Sequence, residues 1–133
     1  MPDPLEGGCL CGRVRYRLDP EGATASICHC ATCRRAAGAA SVAWATVPAA
    51  AFAWTGTAPA SFLSSPGVVR THCALCGTSL TYQSAPDSID ITLASLDDPE
   101  ALPPDAEIWL SHRLSWQPVD PARNAFARRS DED

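Results

Sequence analysis

The chain has 133 residues, of which 46% are hydrophobic and 19% charged, and its formal net charge is -5. This length suits one domain that buries about two-thirds of its unfolded surface, so a core is possible without staples. The acidic balance argues against backbone-driven nucleic-acid binding, and no apolar run approaches the ~18 residues of a membrane span, so neither partner is expected.

In chain order, Met-Pro-Asp-Pro-Leu-Glu-Gly-Gly opens the sequence with neither a basic n-region nor an apolar h-region. The expected location is therefore the cytoplasm. Cys9 and Cys11 follow in a glycine-rich segment, where Gly12 permits positive φ and close approach of N–H groups to a thiolate. Val14, Tyr16 and Leu18 then alternate with Arg13, Arg15 and Arg17, which predicts a half-buried strand with a solvated arginine face. Asp19-Pro20-Glu21-Gly22 is a turn. A strand near 23–27 is expected to deliver Cys28, and a short helix over 31–37 is expected to stop at Gly38.

Further short strands are predicted at 40–47, 51–54, 61–63 and 68–72, with a hairpin turn at Ser64-Ser65-Pro66-Gly67. Residues 78–83 and 88–93 read as strands, the second with Ile89, Ile91 and Leu93 on one face. An acidic, proline-punctuated loop over 95–105 leads to a last strand candidate, Glu107 to Leu110. The residues beyond 117 read as a polar tail that frays. The short strands, 12 prolines and 8 glycines indicate one mostly β domain over 1–117, with the tail at 118–133.

The seven cysteines need a reason. A reducing compartment disfavours disulfides, and an odd count forbids complete internal pairing. Spacings of two or three positions are metal-ligand spacings, with disulfides or free core thiols as the competing readings. Cys73-Ala74-Leu75-Cys76-Gly77 is a zinc knuckle and supplies half a site. Cys9 and Cys11 supply the other half, giving a closed structural zinc (Zn2+) set of Cys9, Cys11, Cys73 and Cys76.

Cys28, Cys30 and Cys33 remain, with no fourth cysteine nearby in sequence. Catalytic zinc has three protein ligands and an open position, and a thiol substrate suits a soft site of this kind. Three other readings stay open. His29 or His72 could complete a second structural site, although His29 is wedged between two ligands. The domain could be a zinc-stabilised binding module without catalysis, or the thiols could form a redox-sensing cluster. Trp44, Trp54, Trp109 and Trp116 are expected in the core or as pocket walls. His112 is expected at the surface, and Arg34 and Arg35 are expected as a solvated pair, with contact to a substrate carboxylate as the minority reading.

Gly8-Cys9-Leu10-Cys11-Gly12, Cys28-His29-Cys30-Ala31-Thr32-Cys33-Arg34 and Cys73-Ala74-Leu75-Cys76-Gly77-Thr78 together closely resemble the glutathione-dependent formaldehyde-activating enzyme family, to which centromere protein V also belongs. Ser64-Ser65-Pro66-Gly67, Ser95-Leu96-Asp97-Asp98-Pro99 and Glu107-Ile108-Trp109 with Trp116 extend the resemblance over about residues 5–117. The resemblance implies a β-tent fold of small antiparallel sheets. It implies structural zinc at Cys9, Cys11, Cys73 and Cys76, and catalytic zinc at Cys28, Cys30 and Cys33. The implied activity joins a small thiol, glutathione, to a small carbonyl compound, formaldehyde, and is classed as a carbon–sulfur lyase in the reverse sense. The alanine-rich stretch over 36–51 and the acidic tail depart from the family pattern.

Overall fold

A computed structural model describes residues 3–129, and Met1, Pro2 and the last part of the expected tail, 130–133, lie outside the described residues. The strands are β1 (Leu5–Gly8), β2 (Arg15–Leu18), β3 (Thr24–Cys28), β4 (Val42–Pro48), β5 (Phe52–Trp54) and β6 (Ala60–Ser65). They continue with β7 (Val68–His72), β8 (Ser79–Ala85), β9 (Ser88–Thr92), β10 (Ala106–Ile108) and β11 (Asn124–Ala125). Among the described residues a single α-helix, α1, spans Ala31–Ala37 and stops at Gly38, as the sequence predicts. Among the described residues no helix is long and apolar enough to cross a membrane.

The strands form two sheets. A three-stranded sheet has the order β1-β2-β5, and an eight-stranded sheet runs β11-β10-β3-β4-β9-β8-β7-β6. The larger sheet has two free edges and is no closed barrel. It is also larger than the small sheets expected, and not wholly antiparallel. β10 pairs in parallel with both β3 and β11.

Period-2 alternation gives each central strand two different faces. Ala25, Ala45, Val47, Ile89 and Ile91 point to the main core, where they meet Val14, Tyr16 and Leu18 from the small sheet. Tyr16, Leu80 and Ile91 are sealed from solvent. Each such side chain contributes about 1.5–3 kcal/mol of transfer free energy. The even-numbered residues of the same strands face the other way. Cys28, Val42 and Trp44 form a second apolar cluster there with Cys33. Registers of Cys28 with Val42, Ser26 with Trp44 and Thr24 with Thr46 carry this face across β3 and β4.

Two expectations are corrected. The segment after 117 does not fray within the described residues. Asn124–Ala125 pairs beside β10, and the Trp109, Leu110 and Ser111 amides donate to the carbonyls of Arg128, Phe126 and Ala127. Sequence reading misses this return because so short a strand has no periodicity. Trp116 is neither core nor pocket wall and stands 70% exposed.

Close approach of the small sheet to the loop after β9 requires glycine at position 7. The Tyr16 hydroxyl meets Ser95 Oγ at 2.7 Å, and a Cβ on Gly7 would meet the Tyr16 phenol and lie 2.6 Å from the Ser95 carbonyl. Gly7→Ala is expected to destabilise the fold by about 1–3 kcal/mol through overpacking, read as a lower denaturant midpoint at unchanged m-value.

Candidate metal centres and the cavity beside them

The turn after β1 carries Cys9 and Cys11, and the β7–β8 hairpin carries Cys73 and Cys76. The two turns share a design. Gly12 and Gly77 lie at φ 83 and 81, and their N–H groups donate to the carbonyls of Cys9 and Cys73. Left-handed backbone at these positions curls each turn around its sulfurs. Val14 N–H donates to Cys9 Sγ at 3.3 Å, and Cys76 N–H donates to Cys73 Sγ at 3.4 Å. Thr78 links the turns, since its Oγ1 accepts from Leu10 N–H at 3.1 Å and lies 3.3 Å from Cys76 Sγ.

The four sulfurs lie within 4.8 Å of one another. Cys9 to Cys11 is 3.5 Å and Cys11 to Cys73 is 3.7 Å. Four sulfurs about 2.3 Å from one tetrahedral ion stand about 3.8 Å apart, so the set fits a thiophilic metal. The Thr78 hydroxyl and then its backbone N–H hold the Cys76 thiol down to about 5. The group offers a thiolate near neutral pH.

Cys28 ends β3, Cys30 caps α1 and Cys33 lies in the first turn of the helix. Cys30 Sγ accepts from Cys33 N–H at 3.3 Å, and the Thr32 hydroxyl lies 3.3 Å from the same sulfur. The three sulfurs also lie within 4.8 Å of one another, and among the described residues no fourth His, Cys, Asp or Glu joins them. Cys28 and Cys33 are buried, whereas Cys30 is half-buried. The Cys28 thiol, and next the Cys33 thiol, hydrogen-bond to Cys30 and hold it far below the usual thiol range. Cys28 rises in turn, because Cys30 and Cys33 crowd it. The thiols cannot all ionise at this separation unless a cation sits among them, so this donor set too fits a metal ion.

His29 does not complete the cluster. Its Nε2 meets Glu107 Oε1 at 2.6 Å, and Glu107 Oε2 accepts from Arg123 Nη1 at 2.9 Å. His29 and Glu107 are 1% and 2% exposed, so the imidazole is locked away from the sulfurs. His72 ends β7, and its sealed Nδ1 has no partner among the described residues. Arg34 and Arg35 lie on α1, Arg34 half-buried and Arg35 exposed. A cation that reaches the sulfurs is Arg70, which sequence reading missed. It is 5% exposed, donates from Nη2 to Cys33 Sγ at 3.7 Å and from Nε to Ser64 Oγ at 3.0 Å, and lies 4.8 Å over the Tyr82 ring. Its only sequence signal is its inward position on a short alternating strand.

A cavity of about 860 Å³ opens on Cys28, Cys30 and Cys33. Trp44, Tyr82, Ile108 and Trp109 are among its walls, as is His112, whose Nδ1 accepts from Ala31 N–H at 3.3 Å. Trp109 has φ 57, the one non-glycine residue with positive φ among the described residues. That conformation costs about 1–3 kcal/mol and marks a backbone shaped for the site. Its indole lies 5.0 Å from the His112 ring.

These features define a class: a mostly β protein with two thiolate clusters, one of four cysteines and one of three that opens on a cavity. The chain belongs to the glutathione-dependent formaldehyde-activating enzyme family, whose model matches residues 4–112. The crystal structure of a Rhodobacter sphaeroides protein, 20% identical, has the same fold at a TM-score of 0.60, covering 91% of this chain and 98% of that one. No curated protein matches the sequence.

Three thiolates around a divalent ion leave a net negative charge, which the Arg70 guanidinium offsets at the buried side. Arg70→Met is therefore expected to weaken metal binding at Cys28, Cys30 and Cys33 about 10–100-fold, with binding at the four-cysteine set unchanged. Competition with a chromophoric chelator reads the two sites separately, and equal loss at both would contradict the assignment.

Proposed function

We propose that the chain adds a thiol to a small aldehyde, with glutathione and formaldehyde as the leading pair. The product is an S-hydroxymethyl thioether, and the reverse reaction is a carbon–sulfur lysis. The reading rests on one observation: Cys28, Cys30 and Cys33 face a cavity of about 860 Å³ with no fourth protein ligand among the described residues. Membership of the family supports the choice of thiol and aldehyde. On this reading Cys9, Cys11, Cys73 and Cys76 hold a structural zinc, and Cys28, Cys30 and Cys33 hold a catalytic one.

A zinc ion bound at the three-cysteine set supplies one open coordination position and lowers the pKa of a thiol that fills it. The chain's own residues direct the rest. Cys28 and Cys33 close the buried side, so a substrate thiol enters from the cavity past Cys30. Arg70 offsets the negative charge that a further thiolate brings. Trp44 and Trp109 confine the aldehyde beside the thiolate and exclude water from that wall. In the addition, sulfur bonds to the carbonyl carbon and the C=O pair moves to oxygen. That oxygen takes up a proton equal to the one the thiol released, so no oxidant or reductant is consumed.

NMR exchange spectroscopy of mixed glutathione and formaldehyde is expected to show hemithioacetal exchange faster with metal-replete protein than without it. Cys30→Ser should return exchange to the spontaneous rate with the fold intact. Cys73→Ser should instead lower folding stability, because a structural zinc supplies folding free energy directly. Exchange no faster than the spontaneous rate with wild-type protein would remove this substrate assignment.

A further inference from the structure

A second cavity, of about 240 Å³, shares only Cys33 and Trp44 with the walls of the large one. Cys28 and Cys30 line the large cavity alone, and Arg70 lines the small one alone. The small cavity is thus a separate space. Helix α1 contributes Ala36 and Ala37 to it, β6 contributes Phe62, β7 contributes Arg70 and β8 contributes Ser79.

Its chemistry is that of an anion site. No Asp or Glu is among its lining residues, in a chain of formal net charge -5. Its one permanent cation, Arg70, is 5% exposed and has no carboxylate partner among the described residues. Ser64 Oγ takes the Nε donor and Cys33 Sγ takes Nη2, which leaves Nη1 without an acceptor among the described residues. A buried guanidinium is costly until its donors are met. Phe62 is the cross-strand partner of Arg70, so an apolar wall stands beside the cation, and Val42 and Trp44 extend the apolar lining. Since about 150 Å³ suffices for benzene, this volume takes a small organic acid and is too small for a tripeptide.

We infer that this cavity binds a small monocarboxylate with an apolar body, held through its carboxylate by Arg70 Nη1 and packed against Phe62. One guanidinium matches one negative charge, which favours a monoanion over phosphate. The apolar wall favours a hydrocarbon body over a bare oxyanion. The bound carboxylate and Cys33 share the guanidinium, one on Nη1 and the other on Nη2. The site goes beyond the thiol reading and does not rest on it, because it uses neither Cys28, Cys30 nor the large cavity.

NMR titration of the zinc-loaded full chain with butyrate, butyramide and inorganic phosphate tests the inference. Butyrate is expected to bind saturably, shifting the Arg70 Nε–H and Phe62 amide signals and leaving the indole signal of Trp109, a wall of the large cavity, in place. It is expected to bind about tenfold tighter than butyramide or phosphate, as a charge-assisted hydrogen bond beside an apolar wall implies. Phe62→Ala should weaken butyrate about fivefold through lost apolar contact, at unchanged zinc content. In Arg70→Met held at saturating zinc, the preference for butyrate over butyramide should vanish. Shifts at Trp109 in place of Arg70 would put the acid in the large cavity and overturn the inference. No saturable butyrate binding, equal affinity for butyrate and butyramide, or phosphate binding as tight as butyrate would overturn it too. Butyrate affinity unchanged in Phe62→Ala does the same, and that result stands even where Arg70→Met fails to fold.

Discussion

Thiolates crowded into a small volume repel one another unless a cation sits among them, and this constraint organises the molecule. Seven cysteines gather into two groups whose sulfurs lie within 4.8 Å of one another. The four-cysteine group joins the turn after β1 to the β7–β8 hairpin, 62 positions apart between Cys11 and Cys73. Those turns belong to different sheets. A metal bound there would staple the two sheets at one corner, beside the core that Tyr16 and Leu80 fill. The three-cysteine group sits on the opposite face of the large sheet, where it opens on the cavity.

Local signals in the sequence carry much of this arrangement. Alternation of Val14, Tyr16 and Leu18 with arginines marks β2, and all three apolar side chains are sealed in the core. Gly38 ends α1 where expected. The knuckle spacing pairs Cys9 and Cys11 with Cys73 and Cys76, because few other chemistries need cysteines two or three positions apart beside glycine. Features that depend on distant pairing were not legible. Glu107 gives no sign that it locks His29, since 78 positions separate them. Arg70 reads as an ordinary charged strand residue until its strand brings it to Cys33. The return of the chain at Asn124–Ala125 rests on main-chain hydrogen bonds, which leave no mark on side-chain pattern.

The opposite faces of β3, β4 and β9 explain how so small a protein holds both a core and a large cavity. Ile89 and Ile91 build the core, and Asp90 between them points into the cavity. Reading those strands for apolar alternation alone finds the first face and discards the second. His29, Glu107 and Arg123 then hold the cysteine loop to β10, so the rim of the cavity is fixed by the buried His29–Glu107 hydrogen bond and the Glu107–Arg123 ion pair as well as by the sheet.

The central claim is that the two sulfur clusters divide the work, one closed and one open to substrate. X-ray absorption at the zinc edge of the full chain tests this most directly. The account predicts two zinc ions per chain with about 3.5 sulfur neighbours on average, rising to about 4 when glutathione is added, as one four-thiolate and one three-thiolate site require. One zinc per chain with four sulfurs, unchanged by glutathione, would contradict it.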